Sequence, residues 1–399
     1  MQRILQMSED PFSLPKDKRI PIGQTVYVRL VSTNQILEIV RSETDIISAK
    51  EIKEEGHHPK GDIPWLAPAF FDLQINGGWG LSFQEENIPE ESYLEFVRRL
   101  RNRAITRFFP TIITDSFERI QNALRSLTRK IENSLILRQA MIGFHLEGPY
   151  ISSADGPRGA HPAKHVRNPS LDEFKSWQDA ADGRIRLITL APELTGAMEF
   201  IAKVSQMGVT VAIGHTNATA VQIRDSVSVG AKLSTHLGNG CHAMLARHDN
   251  PIWPQLIEDK LAASFIADGM HLTVEAFLTM WRCKPVDQRI LTCDASSLAG
   301  LPAGRYSLWG SELEVQENGR VAVPNTPFLG GSGLFTNDVV RYALSLQKLS
   351  LAEVIAAVSS NPLRLLGFPC PKFPENMKGS WVCFDSDETV PWSLRDVLG

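Results

Sequence analysis

Four polar residues stand at the ends of apolar, strand-like runs in this chain. They are Glu147 in His145-Leu146-Glu147-Gly148-Pro149, His215 in Gly214-His215-Thr216-Asn217, His236 in Thr235-His236-Leu237-Gly238-Asn239, and Asp294 in Thr292-Cys293-Asp294-Ala295. A carboxylate where a strand leaves the core is costly unless it is paired or metal-bound. One Glu with two His is a ligand set for a single divalent transition metal, and Zn(II), Fe(II), Co(II) and Mn(II) all suit it. Asp294 then has the chemistry of a general base that later serves as a general acid. Each residue has a plainer reading: a capping or ion-paired Glu, rim histidines bonded to backbone, an Asp that orients a loop. Their arrangement favours one shared site, because His215 and His236 end consecutive runs and Glu147 ends a run two units earlier.

Further polar groups lie on the same connections. His271, in Asp268-Gly269-Met270-His271, is expected to contact substrate, whereas His145 alternates with Phe144 and Leu146 and reads as a hydrogen-bonded core residue. Arg247, within Cys241–Pro254, could grip a phosphate or carboxylate with its planar guanidinium, or could be a plain surface arginine. The glycines of Leu329-Gly330-Gly331-Ser332-Gly333 precede a helical segment, where free amides could cradle an anion or a sugar hydroxyl.

Eight short apolar runs could place these groups: Ala69–Gln74, Ile105–Thr111, Ile142–Leu146, Ile185–Leu190, Val209–Ile213, Ala231–Thr235, Leu261–Ala267 and Arg289–Cys293. Helical spacing separates them, for example over Glu91–Arg103, Phe117–Ile131, Ala197–Gln206, Ala220–Val229 and Val274–Trp281. The pattern predicts an α/β fold, a (β/α)8 TIM-type barrel whose strand ends open on one face; an open doubly wound sheet has the same periodicity. A small β-sandwich domain is expected from the N- and C-terminal segments. Residues 1–63 form an irregular arm and part of that sandwich, with Lys50–Asp62 as an exposed loop. Residues 64–304 form the barrel core with the metal site, 305–328 a hairpin of the sandwich, 329–368 barrel-completing helices, and 369–399 the return to the sandwich.

Composition narrows the classes of function. A net charge of -4 gives no reason to expect nucleic acid or an anionic membrane as partner. No run is long enough to span a bilayer and no signal-peptide core is seen. The five cysteines lack paired spacing, which predicts a reduced, cytoplasmic protein.

Taken together, several segments resemble the N-acetylglucosamine-6-phosphate deacetylase family of the amidohydrolase superfamily. They include Ala67–Gly78, His145–Pro149, Gly159-Ala160-His161-Pro162, Thr189–Glu193, Gly214–Ala218, Thr235–Asn239, Asp268–His271, Asp294-Ala295, Leu329–Ser332 and Asn361-Pro362, in the family's order. The resemblance implies Glu147, His215 and His236 as metal ligands, with zinc the first expectation, and Asp294 as the catalytic aspartate. It implies Ala160, His161, Asn239, Gly240, Arg247, His271, Leu329, Gly330 and Gly331 as substrate-binding positions. Gln74 and Asn76 replace the His-x-His of two-metal relatives, so one metal is implied, with Gln74 touching it through water. It further implies hydrolysis of the acetamide of N-acetylglucosamine 6-phosphate, and a homodimer whose phosphate site reaches across the interface. Two departures lie near the sugar and phosphate positions: Gly238 stands where the family has an aromatic residue, and Ser152–Arg158 is slightly longer. Action on another N-acyl amino sugar is the alternative; a non-catalytic sugar-phosphate binder is a more distant one.

Overall fold

A computed structural model of the chain describes residues 19–42, 46–52, 62–308, 311–324, 329–373, 379–385 and 393–398. The expectations for the arm at 1–18 and for positions 53–61 of the loop lie outside the described residues. Eight strands form one parallel sheet in chain order: β1 (Phe70–Ile75), β2 (Ile105–Ile113), β3 (Phe144–Glu147), β4 (Ile185–Leu190), β5 (Thr210–Ile213), β6 (Ala231–Ser234), β7 (Ala262–Phe265) and β8 (Arg289–Leu291). Every residue of β2 except Arg107 is buried, because helices cover one face and barrel side chains fill the other. That double burial is why such runs read as continuously apolar rather than alternating.

The helix Phe117–Asn133 illustrates the other half of the repeat. Ile120, Ala123, Leu124, Leu127 and Ile131 recur at three- and four-residue steps and are buried. The Ser116 hydroxyl caps its start by accepting from the Arg119 amide at 3.3 Å. The helix of the following unit, Leu171–Ala180, brings Trp177 against Phe117 at 5.7 Å between ring centroids, and its indole donates to the Phe117 carbonyl at 3.1 Å.

The ring closes just beyond β8. Ile75 and Ala295 form a parallel bridge, and the Asn76 amide donates to the Ala295 carbonyl at 2.9 Å. Asp72, wholly buried in β1, ties this seam with its carboxylate. One oxygen accepts from the Gln74 amide at 2.9 Å and the Thr292 hydroxyl at 2.6 Å; the other accepts from the Cys293 amide at 2.9 Å and the Thr336 hydroxyl at 2.6 Å. An Asp72→Ala change strands four buried donors. At about 1 kcal/mol or more each, it is expected to destabilise the protein by roughly 3–5 kcal/mol, read as a lower midpoint in urea unfolding.

The domain of the chain ends is built on a six-stranded sheet, ordered Ser393–Leu398, Trp381–Asp385, Trp65–Pro68, Thr25–Leu30, Ile36–Arg41 and Ile46–Glu51. It has its own core, with Val28, Leu37, Ile39, Leu66, Trp381 and Cys383 packed together. The 305–323 hairpin does not join it. Gly304–Leu308, Ser311–Val315 and Arg320–Ala322 pair instead with Leu329–Ser332 in a four-stranded antiparallel sheet, and Leu313, Val315 and Val321 cluster with Leu298. Ser332 also bridges to Ala295, which draws this sheet to the barrel mouth. Among the described residues no helix is long and apolar enough to cross a membrane.

Candidate metal centre and active site

Glu147 ends β3, while His215, His236 and Asp294 lie two or three residues past the ends of β5, β6 and β8. These last three adopt left-handed backbone, with φ of 50°, 30° and 50°. Such a conformation costs a non-glycine residue of order 1 kcal/mol, and it concentrates at functional sites. Cross-strand bonds hold it here. The His215 carbonyl accepts from the Ser152 amide at 2.9 Å, the His236 amide donates to the Ser264 hydroxyl at 2.8 Å, and the Asp294 carbonyl accepts from the Ser332 amide at 3.2 Å. Gly214 lets the strands approach closely, since a Cβ there would sit 2.8 Å from the Thr189 methyl and 3.0 Å from Thr235 Cβ.

Three ligand-type atoms converge. Glu147 Oε1 lies 3.2 Å from His215 Nε2 and 3.0 Å from His236 Nε2, and the two nitrogens are 3.2 Å apart. All three residues are buried. The separations approach the ~3.4 Å edge of a tetrahedron with bonds of ~2.1 Å, so the set fits one divalent ion. His215 Nδ1 lies 2.9 Å from the Pro157 carbonyl; donating there leaves Nε2 with its lone pair toward the centre. Burial alone would raise the Glu147 pKa, but bonds from His215 and His236 and their charge hold it well below the usual carboxylate range. His236 is raised, because Glu147 more than offsets the effect of burial. Glu147 and His236 thus both favour positive charge at this point, the condition a cation needs.

Asp294 faces this cluster through two amides. Gln74 Nε2 donates both to Glu147 Oε1 at 2.8 Å and to Asp294 Oδ1 at 3.0 Å, and Asn76 Nδ2 donates to the same Oδ1 at 2.7 Å. Burial, then the charge of Glu147, pushes the Asp294 pKa up to about 6. An aspartate so poised takes and returns a proton near neutrality.

His161 joins the centre more closely than its motif suggested. Its Nδ1 lies 2.8 Å from the Thr114 hydroxyl, its Nε2 lies 4.0 Å from Glu147 Oε2, and its ring meets that of His215 edge-on at 4.4 Å. Burial, then the charge of His215, pushes its pKa down to about 3, so this imidazole is neutral. His271 is oriented by Asp268, whose Oδ2 lies 2.7 Å from Nδ1. Gly240 is close-packed, for a Cβ there would be 2.9 Å from His215 Nδ1. Asn239 is half-buried and donates through Nδ2 to the His236 carbonyl at 3.2 Å; Ala160 is exposed.

Two sequence-predicted features sit differently. Arg247 is exposed, and among the described residues nothing ties its guanidinium to the cluster. Leu329–Ser332 is a strand rather than an amide-cradling loop, with Ser332 committed to Asp294 and Ser296, because the hairpin claims this segment as its fourth strand. His145 is a core residue as expected, with Nε2 2.8 Å from the Thr189 hydroxyl. Sequence reasoning missed Thr114, which orients His161, and the part of Glu193 in holding the His215 loop. The Glu193 carboxylate accepts from the Thr216 hydroxyl at 2.5 Å and the Asn217 amide at 2.7 Å. Neither role has a local motif; both exist only across neighbouring units.

No family model matches the chain. It is 34% identical over 314 residues to bovine N-acetylglucosamine-6-phosphate deacetylase, covering 76% of this chain and 74% of that protein. It is 29% identical over 337 residues to N-acetylgalactosamine-6-phosphate deacetylase of Shewanella sp. strain ANA-3, covering 84% and 83%. The crystal structure of N-acetylglucosamine-6-phosphate deacetylase from Thermotoga maritima superposes with a TM-score of 0.78 at 26% identity, covering 94% and 99%. With the bovine likeness spanning three quarters of both proteins on this barrel, the chain belongs to the N-acetylglucosamine-6-phosphate deacetylase family.

Proposed function

We propose that this protein hydrolyses the acetamide of N-acetylglucosamine 6-phosphate to glucosamine 6-phosphate and acetate, using one zinc ion held by Glu147, His215 and His236. The observation that carries the reading is the convergence of these three ligand atoms beside Asp294, whose pKa is poised near 6. A divalent ion there supplies Lewis acidity, which makes water acidic enough to attack near neutral pH and polarises the amide carbonyl.

The chain's own groups carry the rest. Oδ1 of Asp294 is occupied by Gln74 and Asn76, leaving Oδ2 to take a proton from the attacking water. As the C–N bond breaks, the same oxygen returns that proton to the amine, a poor leaving group as an anion. His161, neutral and set by its contact with the Thr114 hydroxyl, is placed to stabilise the oxyanion of the tetrahedral adduct through Nε2. His271, fixed by Asp268, faces the sugar side. Arg247 and the Asn239–Gly240 amides hold the phosphate.

The exposed position of Arg247 supports a homodimer in which it serves the partner's site. Its loop and the following helix also expose Met244 (90%), Ile257 (81%) and Trp253 (50%), apolar side chains that a partner's surface would cover. Met244→Glu is expected to shift the protein from dimer to monomer in sedimentation velocity; an unchanged dimer would remove this patch from the interface. Arg247→Ala is expected to raise KM about 10- to 100-fold for the phosphorylated sugar, with little effect on an unphosphorylated one. The five unpaired cysteines support a reducing, cytoplasmic setting.

A second reading, N-acetylgalactosamine 6-phosphate as substrate, draws on the Shewanella relative and on Gly238 in place of an aromatic residue. Rates of acetate release from both sugar phosphates, with metal content measured alongside, test both. No turnover of either would refute the proposal.

A further inference from the structure

Two site histidines, His161 and His215, are set by one connection, residues 152–161, which follows β3. The Pro157 carbonyl lies 2.9 Å from His215 Nδ1, and the His161 ring meets the His215 ring edge-on. Between these contacts the chain makes a run of tight turns. The Arg158 amide donates to the Ala154 carbonyl at 3.0 Å, the Gly159 amide to the Gly156 carbonyl at 3.0 Å, and the His161 amide to the Arg158 carbonyl at 3.3 Å. Single turns are weakly held, because each bond must offset the entropy of the residues it fixes.

The Arg158 side chain spans them. Its Nη1 donates to the His161 carbonyl at 2.8 Å, and its Nη2 pairs with the Asp155 carboxylate. The two ends of this bridge differ. The Asp155 side chain is 92% exposed, so solvent screens that pair and it contributes little. The Arg158 side chain is only 21% exposed, and a charged donor on a carbonyl makes a stronger bond than a neutral one. The Nη1 contact is therefore the one that closes the loop. On its other side Gly156 lies against His242, where a Cβ would sit 3.1 Å from His242 Cα, so the longer Ser152–Arg158 stretch is backed by the segment that follows Gly238.

We propose that Arg158 is a positioning residue for the metal centre. Through Nη1 it closes the 152–161 loop, so that the Pro157 carbonyl holds the His215 tautomer whose Nε2 faces the ion, and His161 stands beside Glu147. Its kinetic consequence rests on the hydrolytic reading above, whereas its effect on the loop does not.

Arg158→Met keeps the apolar stem and removes the guanidinium. Assayed at saturating zinc, it is expected to lower kcat about 10- to 100-fold with KM for the sugar phosphate within about threefold. In competition with a fluorescent chelator it should bind zinc about tenfold more weakly, the scale of losing a group that orients a ligand. Arg158→Lys retains one charged donor and should recover most of kcat, and Asp155→Asn should stay within about twofold of wild type. A group that served folding alone would lower the melting temperature without this split between kcat and KM and without rescue by Lys. Hydrogen exchange of the full, metal-free chain reads the loop without turnover: peptides spanning 152–163 and 213–217 should exchange faster in Arg158→Met, and the rest of the barrel at the wild-type rate. A wild-type protein inactive on sugar phosphates would refute the hydrolytic reading and leave this readout standing. Unchanged exchange in both peptides, an active Arg158→Met enzyme with kcat and zinc affinity within twofold of wild type, or a Lys variant no better than the Met one would overturn the proposal.

Discussion

Asp294→Asn is expected to lower kcat by about 10³-fold while KM for the sugar phosphate stays within a few-fold, the signature of a group needed only for proton transfer. The substitution is nearly isosteric. An asparagine oxygen still accepts from Gln74 and Asn76, so the contacts that place the side chain survive. Only the ability to take a proton from water and hand it to the amine is lost. The wild-type profile adds a second readout. Because Asp294 must be ionised to act as base, kcat should fall as pH drops through its pKa. Burial and Glu147 raise that value to about 6, while a bound cation acts in the opposite sense, placing the acid limb between about 4 and 6. Steady-state kinetics across pH check both points, and near-full activity of the variant would remove Asp294 from the chemistry.

Glu147→Gln should weaken metal binding by on the order of 100-fold or more and carry activity down with it. The change keeps the volume of the side chain but removes the one negative charge among the three ligands. Two imidazoles and a neutral amide then face a divalent ion in a buried site, where the missing charge is felt strongly. Elemental analysis should fall from about one ion per wild-type chain to well below that after dialysis. Linkage gives a check that does not depend on turnover. An ion at about 100 times its dissociation constant adds ~2.7 kcal/mol to stability, so zinc should raise the wild-type melting temperature and barely move that of the variant. A variant that holds its ion as tightly as wild type would refute the ligand assignment.

Much of the site was readable from sequence because strand ends are marked. An apolar run must stop where the strand leaves the barrel, so a Glu or His at that stop lies on the rim, and parallel units place every such rim on one face. Glu147, His215, His236 and Asp294 were found this way. Asp72 was not, although it is as buried as any of them; it lies inside an apolar run, and its partners Thr292 and Thr336 are more than two hundred positions away. The hairpin was misplaced for a related reason. Alternation identifies a strand, but Leu313 and Val321 could have packed on either sheet, and it is the pairing of Arg320–Ala322 with Leu329–Ser332, a strand bridged to Ala295, that decides between them.

By itself the sequence determined the repeat, the residue types at each strand end and hence the class of chemistry, since these follow from local periodicity and side-chain identity. Tertiary structure alone decided the distances: the 3.0–3.2 Å triangle of ligand atoms, the left-handed turns that carry three of the site residues, the approach of His161 to Glu147, and the closing seam at Asp72. Those depend on how eight units curl around one axis, a property of the ring as a whole that no single unit contains.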